Sequence, residues 1–362
     1  MANKGYHSYR GRRRSGKSIF LLLLVLVLAC GFIYVQRYIT YSDDGSIQFD
    51  IPFLREEAPE VPDEPVIPDQ KPEMDLVVEK EPVTEPEKPA EEGPVAQPLA
   101  VDYHLKGLAA LPADSAALEA ELALSGANGF VYTLRDNTGR VFYDSVAALR
   151  SAVNGPAATA ALQALCALED TVSVAKLNAF HDSYYAWANM ESAGICQGTG
   201  HIWYDNLSYH WLEPEKEKAR EYVISLAVEC AQMGFDQILL EEMCYPSSGN
   251  LYKINYTGNS MAKPDALALF LTELKMALEP YGTEIALLID ERALDAAANA
   301  EYVQNSGQDL TRLAPLVDAV YVNTADVAAA ESALAAVVGE EEPPALIPIT
   351  ATAAPEGNWY MP

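Results

Sequence analysis

Short apolar segments of strand length alternate with helical segments about seven times over the greater part of this chain. The predicted strands cover residues 101–111, 129–134, 172–180, 235–243, 284–290, 318–323 and 345–350. The predicted helices cover residues 113–125, 156–169, 214–233, 264–278, 310–316 and 325–338. Strands that alternate with helices form parallel β/α units joined by right-handed crossovers. The pattern therefore predicts the α/β class and a (β/α)8 TIM-like barrel.

An open, doubly wound sheet produces the same alternation and is the alternative to a closed barrel. No glycine-rich phosphate loop follows any predicted strand, which counts against a nucleotide-binding sheet of that kind. The eighth strand of the barrel is uncertain, because the sequence offers only residues 357–360 to form it.

An uncharged apolar run at residues 19–35 follows a cluster of basic residues. The basic residues are Lys4, Arg10, Arg12, Arg13, Arg14 and Lys17. As a helix the run would be roughly 26 Å long, enough to cross a thin bilayer. Because basic residues stay on the cytoplasmic side, the sequence predicts a cytoplasmic tail at residues 1–18 and a transmembrane helix at residues 19–36. This predicts a single-pass protein of the cell membrane whose main domain lies outside the cytoplasm.

Two other interpretations of the apolar run remain open. A cleaved signal peptide is one, although the run is long and no Ala-x-Ala cleavage site follows it. A lipoprotein signal at residues 27–30 is the other, although Leu28 fits such a signal poorly and apolar residues continue to Val35.

Residues 37–100 differ in composition from the rest of the chain. Prolines recur through residues 52–98, and acidic residues fill the gaps between them. Such a segment buries too little apolar surface to offset the entropy lost on ordering, so a disordered linker is predicted. Binding of a partner through the prolines is the alternative. Residues 101–362 are predicted to form the barrel domain.

Composition also narrows the class of partner. The net charge of -28 argues against binding to nucleic acid, which requires clustered Lys and Arg side chains. The five cysteines form no C-x-x-C pair and the histidines lack metal-ligand spacing, which argues against zinc. No G-x-S-x-G motif supports an esterase of the α/β-hydrolase kind. The sequence therefore implies no metal and no organic cofactor.

Acidic residues follow four of the predicted strands. They are Asp136, Asp182, the pair Glu241 and Glu242, and the pair Asp290 and Glu291. Active sites of β/α barrels lie at the C-terminal ends of the strands. Two carboxylates that face each other across such a mouth are what glycoside hydrolysis requires. The alternative is that these acids lie in solvated loops, since the chain is acidic throughout.

Aromatic residues cluster between the third predicted strand and the helix at residues 214–233. They are Trp187, Trp203, Tyr204, Tyr209 and Trp211. Exposed indole rings can stack on sugar rings, and Trp203 is the strongest candidate for such a platform. The alternative is that the rings pack a long loop onto the barrel. The histidines of this region, among them His181, are interpreted as polar residues of the rim.

The order of several motifs resembles a family of bacterial membrane-anchored barrel proteins with a glycoside-hydrolase-like domain. Trp211 and Pro214 lead into a helix, residues 234–236 precede a strand, and Glu241 and residues 245–246 end that strand. The resemblance extends over residues 128–145, 174–182, 200–246 and 306–323. It implies an enzyme that acts on a cell-wall or extracellular glycan, that is, a polysaccharide.

The strand-end positions, the aromatic cluster and the resemblance together give a set of candidate site residues. The catalytic candidates are Glu241 as the central carboxylate, Asp290 or Glu291 as its partner, and Asp136. The candidates for binding substrate are Asp182, Trp203, Trp211, Tyr245 and His181.

Three positions depart from the pattern of this family. The family usually has Asp where this chain has Glu241, Arg where it has Cys244, and an acid where it has Thr133. A longer carboxylate shifts the reacting group, and a lost Arg removes a bidentate clamp. These departures favour the alternative function, a non-catalytic glycan-binding or envelope scaffold protein on a degenerate barrel.

Strand alternation predicts which acid of the central strand faces the barrel axis. Gln237, Leu239, Glu241 and Met243 share one face, and the family resemblance puts that face inside. Glu241 would then be partly desolvated, which raises the pKa of a carboxyl and suits a general acid. Glu242 is expected to point towards the surrounding helices or to lie free at the strand's end.

Overall fold

The computed structural model describes residues 39–41, 47–49, 102–148, 151–256, 260–339, 342–354 and 356–362. Two short antiparallel strands, β1 (Ile39–Tyr41) and β2 (Ile47–Phe49), fall within the segment predicted as linker and belong to a unit of their own. The predicted transmembrane helix and the proline-rich residues 52–98 lie outside the described residues. Within the described residues, no helix combines the length and the apolar character needed to span a bilayer.

Eight parallel strands form the second unit. They are β3 (His104–Leu108), β4 (Gly129–Arg135), β5 (Val172–Asn178), β6 (Gln237–Glu241), β7 (Glu284–Ile289), β8 (Ala319–Val322), β9 (Ala345–Pro348) and β10 (Trp359–Met361). From β3 to β9 each strand pairs with the next in chain order, and β10 pairs with β3. One parallel bridge, from Ile349 to Tyr360, links the last two strands. The sheet is therefore a nearly closed TIM-like barrel, and the doubly wound alternative, whose strand order reverses, is excluded.

The eighth strand is short but well attached to the first. Trp359 and Tyr360 run parallel to His104 and Leu105. The N–H of Tyr103 donates to Asn358 Oδ1 at 2.9 Å, and the N–H of Trp359 donates to the Tyr103 carbonyl at 2.7 Å. The eighth strand, which the sequence left uncertain, is thus present, and its hydrogen bonds to β3 hold it in place.

Helices surround the barrel. They are α1 (Ser115–Ser125), α2 (Pro156–Cys166), α3 (Ser183–Ala188), α4 (Glu217–Met233), α5 (Lys263–Leu278), α6 (Ala300–Ser306), α7 (Leu310–Leu313) and α8 (Val327–Val338). Local signals set their ends: Asp114 caps α1 by accepting from the Ala117 N–H at 2.9 Å, and α4 ends at Gly234 with φ of 98°. The short helices α3 and α6 were not predicted from the sequence.

Side chains of the strands fill the barrel interior at its N-terminal end and in its middle. Apolar side chains form its middle, including Leu105, Val131, Val174, Leu239, Ala286 and Ile347. Below them Tyr103 donates to Glu284 Oε2 at 2.6 Å, Gln237 donates to the same oxygen at 3.0 Å, and Tyr321 donates to Gln237 Oε1 at 2.6 Å. A barrel packed in this way leaves its C-terminal mouth as the place for a ligand.

Candidate active site

A cavity of about 490 Å³ opens at the C-terminal ends of β6, β7 and β8. Four carboxylates line it: Glu241 at the end of β6 and Glu242 directly after it, and Asp290 and Glu291 directly after β7. The other lining side chains that bear on its chemistry are Cys244, Ser247, Arg292, Tyr302, Gln308 and Asn323. The structure thus brings together the acids that follow two neighbouring strands.

Glu241 is the last residue of β6 and follows the inward-facing Leu239 by two positions. Its Oε2 lies 3.4 Å from Lys176 Nζ of the neighbouring strand β5. The side chain is half-buried and has a cation beside it. The desolvated environment expected for Glu241 belongs instead to the residue that follows it.

Glu242 lines the cavity, whereas it was expected either to point towards the surrounding helices or to lie free at the strand's end. Its φ of 52° lies in the left-handed region, which few residues other than glycine adopt. This turn ends the alternation of β6, so that Met243 packs in the core between strands and helices and not on the barrel axis. The backbone at Glu242 therefore places two consecutive carboxylates in one cavity.

Burial raises the pKa of the Glu242 carboxyl above its ordinary value. Cys244 opposes this shift, because its thiol donates to Glu242 Oε2 at 3.5 Å and stabilises the ionised form. The carboxylates of Glu241, Asp205 and Asp290 raise the pKa further by like-charge repulsion. Glu242 consequently keeps its proton to higher pH than an exposed glutamate.

Asp290 has the opposite environment in the same cavity. Its Oδ1 accepts from Arg292 Nε at 2.8 Å and its Oδ2 accepts from an Arg292 terminal nitrogen at 2.7 Å. These hydrogen bonds lower the pKa of the Asp290 carboxyl, and burial opposes them only in part. The Arg292 guanidinium is itself held 4.0 Å from the centre of the Tyr302 ring. Asp290 is therefore kept ionised. The neighbouring Glu291 accepts a hydrogen bond from the Thr324 hydroxyl at 2.6 Å.

A carboxyl that retains its proton and a carboxylate that stays ionised have different chemical capacities. The first can protonate a leaving group, and the second can stabilise positive charge or activate a nucleophile. Glu242 and Asp290 supply this pair at one mouth of the barrel. Among the described residues, no group of three His, Cys, Asp or Glu side chains has an arrangement that would hold a metal ion.

Two acids predicted for the site have structural contacts elsewhere and do not line the cavity. Asp136 Oδ1 accepts from the N–H and the hydroxyl of Thr138 at 2.9 and 2.7 Å, and so stabilises the turn after β4. Asp182 is fully buried, pairs with Arg135, and accepts from the Tyr185 N–H at 2.7 Å at the start of α3. Its contacts hold α3 against β4.

The aromatic platform expected at Trp203 is not exposed. Trp203 is buried, and its Nε1 donates to the Asn250 carbonyl at 3.2 Å. Trp211 is also buried, and its Nε1 donates to Asp205 Oδ2 at 3.2 Å. Both rings are buried and their N–H groups bond to other protein groups. They therefore pack the loop between β5 and α4 onto the domain and are not available to stack on a sugar.

His181 and Tyr245, both expected to contact substrate, are buried as well. The His181 ring stacks on Trp211 at 4.4 Å between ring centres, and its Nε2 lies 3.1 Å from Asp205 Oδ2. Burial lowers the pKa of this imidazole. The Tyr245 ring has Lys263 Nζ 5.1 Å from its centre. These contacts are part of the packing beneath the mouth.

Two other rings of the same loop region are accessible. Trp187 is 67% exposed and Tyr204 is 48% exposed. His210 lies between them, with its ring centre 5.4 Å from that of Trp187 and 6.5 Å from that of Tyr204. Its Nδ1 is within hydrogen-bonding distance, 2.8 Å, of the Trp203 carbonyl. The sequence identified this aromatic cluster, but only the packing of the loop decides which members reach solvent.

The sequence of the chain matches one protein family. The family model described as "Putative glycosyl hydrolase domain" matches residues 117–322, which is more than half of the 362 residues. The matched part runs from α1 to the end of β8 and contains all four carboxylates of the cavity. No curated protein shows significant sequence similarity to the chain.

Several solved structures are similar to this one at low sequence identity. A hypothetical protein from Ruminiclostridium thermocellum ATCC 27405 is 21% identical with a TM-score of 0.41, over 48% of this chain and 90% of that chain. The PgaB (BpsB) glycoside hydrolase domain from Bordetella bronchiseptica is 13% identical with a TM-score of 0.48, over 72% and 94%. A cycloisomaltooligosaccharide glucanotransferase from Paenibacillus sp. is 16% identical with a TM-score of 0.48, over 68% and 38%. The chain thus spans less than half of the glucanotransferase, and none of the three matches assigns a role to a residue.

Proposed function

Because this chain belongs to the "Putative glycosyl hydrolase domain" family, we propose that it hydrolyses O-glycosyl bonds of a cell-wall or extracellular glycan. The observation that supports catalysis is the pair formed by Glu242 and Asp290. Both side chains line one cavity at the mouth of the barrel, and their environments move the two pKa values in opposite directions. Such a divergence separates the acid from the carboxylate partner in enzymes that cleave glycosidic bonds.

In the proposed reaction Glu242 is the general acid. It donates its proton to the glycosidic oxygen as the bond to the anomeric carbon breaks, and the leaving sugar departs as an alcohol. Asp290 stabilises the positive charge that develops on the remaining sugar ring. A water molecule supplies the hydroxyl group at the anomeric carbon, and its proton restores Glu242. Glu241, paired with Lys176, is proposed to hold a sugar hydroxyl beside these two residues.

The test is the release of reducing sugar from a panel of polysaccharides by the full chain in detergent. On a glycan that the wild type cleaves, Glu242→Gln and Asp290→Asn should each lower kcat/KM by about a hundredfold or more, the usual effect of losing an acid or base. Glu241→Gln should have a smaller effect. Wild-type turnover in Glu242→Gln would show that the assignment is wrong.

The proposal includes a location outside the cytoplasm, with residues 19–36 as a membrane anchor and residues 37–100 as a linker. Its support is the sequence alone, in which six basic residues precede an uncharged apolar run.

A non-catalytic glycan-binding protein is the second candidate. The exposed rings of Trp187 and Tyr204 favour it, because they lie outside the carboxylate cavity and offer surfaces for sugar stacking. Binding of a polysaccharide by the wild type without any release of reducing sugar would support this candidate over the enzyme.

A further inference from the structure

A second cavity, of about 600 Å³, shares no lining residue with the carboxylate cavity. It lies between the loop after β4, helix α3 and helix α4. Its lining residues are Ala147, Ala148, Ser151, Tyr184, Tyr185, Ala188, Asn189 and Tyr222. None of these side chains is charged at neutral pH, although the chain has a net charge of -28. The described part of the lining thus carries no charge, and three of its members are tyrosines.

The tyrosines form a fixed aromatic wall. The rings of Tyr185 and Tyr222 are stacked, with centres 3.6 Å apart and planes 4° from parallel. The Arg135 guanidinium carbon lies 5.2 Å from the centre of the Tyr222 ring. Tyr184 is 44% exposed, so one ring of the wall faces solvent while the others are partly or fully buried. Tyr185 and Arg135 cover the ring faces of Tyr222, so the exposed ring of Tyr184 is the surface on which a ligand ring can stack.

The cavity also has a buried polar group in its lining, the hydroxyl of Tyr222. Tyr222 is only 4% exposed, and among the described residues its hydroxyl makes no hydrogen bond of normal geometry, although Ser151 is a near neighbour. Ser151 itself donates to the Ala148 carbonyl at 3.4 Å. A buried hydroxyl that lacks a well-formed hydrogen bond destabilises the folded state. A ligand hydroxyl in the cavity would supply that partner.

We propose that this cavity is a second carbohydrate-binding site, which takes one neutral sugar residue of a glycan chain. The apolar face of a sugar ring fits against the tyrosine wall, and its hydroxyls can bond to Tyr222, Ser151 and Asn189. A neutral sugar is favoured because none of the lining side chains that the structure describes offers a counter-charge to an amino sugar or a uronic acid. The volume lies within the range of about 300–1,000 Å³ found for small-ligand sites.

The inference rests on the proposed function for its class of ligand, a glycan, but not for hydrolysis. Two sites on one chain would let a long glycan be held at the second site while another part enters the mouth. Linked binding of this kind strengthens the attachment of a polymer, often by about a hundredfold or more, without any new contact. Long glycans should therefore bind more tightly than single sugars of the same chemistry.

The experiment uses the full chain in detergent with Glu242→Gln, so that bound glycan is not consumed. The neutral probes are chitohexaose and cellohexaose, and the charged probes are the chitosan hexamer and hexagalacturonate, each titrated calorimetrically. Tyr184→Ala removes the exposed ring, and Tyr222→Phe removes only the buried hydroxyl. The control is Tyr252→Ala, since Tyr252 is 83% exposed and lies outside the cavity.

We expect at least one neutral hexamer to bind more tightly than both charged hexamers. Tyr184→Ala removes a stacking ring and should raise Kd by about tenfold. Tyr222→Phe removes one hydrogen bond and should raise Kd by about threefold to tenfold. Tyr252→Ala should leave Kd unchanged. Thermal denaturation of each variant establishes that it is folded before its Kd is compared.

Two results would overturn the site. One is the absence of binding by both neutral hexamers at millimolar concentration, and the other is an unchanged Kd in both Tyr184→Ala and Tyr222→Phe. Neither result depends on turnover. If the wild type binds a neutral hexamer through these tyrosines but cleaves no glycan, the hydrolase proposal fails and the site stands.

Discussion

Glu242 combines an unusual backbone conformation with an unusual side-chain environment. A non-glycine residue with φ of 52° stores about 1–3 kcal/mol of strain, which the surrounding packing must maintain. The left-handed turn brings its carboxyl into the cavity of Asp290, where burial disfavours the charged form. Strain at this position therefore keeps the carboxyl in the cavity, as the proposed reaction requires, because an extended backbone would continue the alternation of β6 and move the carboxyl away.

The pH dependence of activity should report the two carboxyls separately. In the proposed reaction Glu242 acts while protonated, so kcat/KM should fall as pH rises through its pKa, which lies above that of an ordinary glutamate. Asp290 is proposed to act while ionised, so activity should fall at acid pH, below the ordinary aspartate range. The residual activity of Glu242→Gln, measured from acid to alkaline pH, should lack the alkaline limb. An alkaline limb that persists in this variant would assign it to another group.

The same two residues should affect stability with opposite sign. The pKa of Glu242 is raised in the folded state, so this carboxyl contributes most to the free energy of unfolding below its unfolded-state pKa. That contribution is lost as pH rises through the folded-state pKa. Glu242→Gln should therefore raise Tm relative to wild type at neutral pH, with little difference near about pH 4. Asp290, whose pKa is lowered, contributes above its unfolded-state pKa, so Asp290→Asn should lower Tm at neutral pH. Thermal denaturation at the two pH values checks both signs, and a lower Tm for Glu242→Gln at neutral pH would contradict the first.

At this scale the sequence predicts the acids at the strand ends but not their orientation. Alternation applies only while the chain stays extended, and it fails at Glu242 because nothing in the sequence marks a left-handed non-glycine residue. Exposure of the aromatic cluster is equally hidden. Trp203 and Trp187 both lie between β5 and α4, yet one is buried and the other is 67% exposed, since the packing of this segment decides between them.

Helix α3 shows how one element can connect structure and binding. It begins at Asp182, which caps it and pairs with Arg135 of β4. It presents Tyr184 and Tyr185 to the second cavity and Trp187 to the exposed aromatic cluster. The buried ion pair at its start therefore supports two surfaces that are proposed to meet glycan.

Breaking that ion pair should destabilise the domain strongly. In Asp182→Ala the Arg135 guanidinium is left buried without a counter-charge, which typically costs about 3–5 kcal/mol. Asp114→Ala is the matched control, because Asp114 also caps a helix with its side chain but is exposed, and loss of such a cap costs about 0.5–2 kcal/mol. The measurement is the free energy of unfolding from urea denaturation. Equal losses in the two variants would mean that the ion pair adds nothing beyond capping.

The elements themselves were largely predictable, and α3 shows why one was not. The strands and long helices are predictable from apolar segments of characteristic length, a pattern that a single polar residue rarely alters. Helix α3 has six residues, too few for an apolar period to be evident. Its N-cap signal, Asp182 followed by Ser183, is present in the sequence, but the position of Asp182 after a predicted strand also favours a role in binding substrate. An Asp directly before a short helix is more often a cap than a binding residue.

At the scale of the whole molecule, the number of strands was the least predictable property. Strand β10 has three residues and follows no long apolar run, so its recognition depends on contacts with β3 that are remote in sequence. Its attachment through Tyr103 and Asn358 is a long-range hydrogen bond, which local patterns do not report. The barrel class was predictable from alternation, whereas its near closure required the structure.

The proposed location gives a prediction for the whole chain. A reporter fused after Pro362 should be active only outside the cytoplasm, because six basic residues precede the apolar run. Paired fusions to an enzyme that works only outside the cytoplasm and to one that works only inside supply the measurement. Replacement of the six basic residues by Gln is the control and should weaken this orientation. Activity of the cytoplasmic reporter on the unaltered chain would refute the location.

The pairing of the eighth strand with the first has a consequence for the order of events during synthesis. The hydrogen bond from Tyr103 to Asn358 joins residues 255 positions apart. At about 5–20 residues per second, roughly ten seconds to a minute pass between the emergence of β3 and that of β10. Throughout this interval the outer edge of β3 has no strand beside it, and open edges pair readily with other chains. The nascent domain is therefore most exposed to aggregation just before residues 359–361 emerge, and a chaperone that shields β3 would be needed only until then.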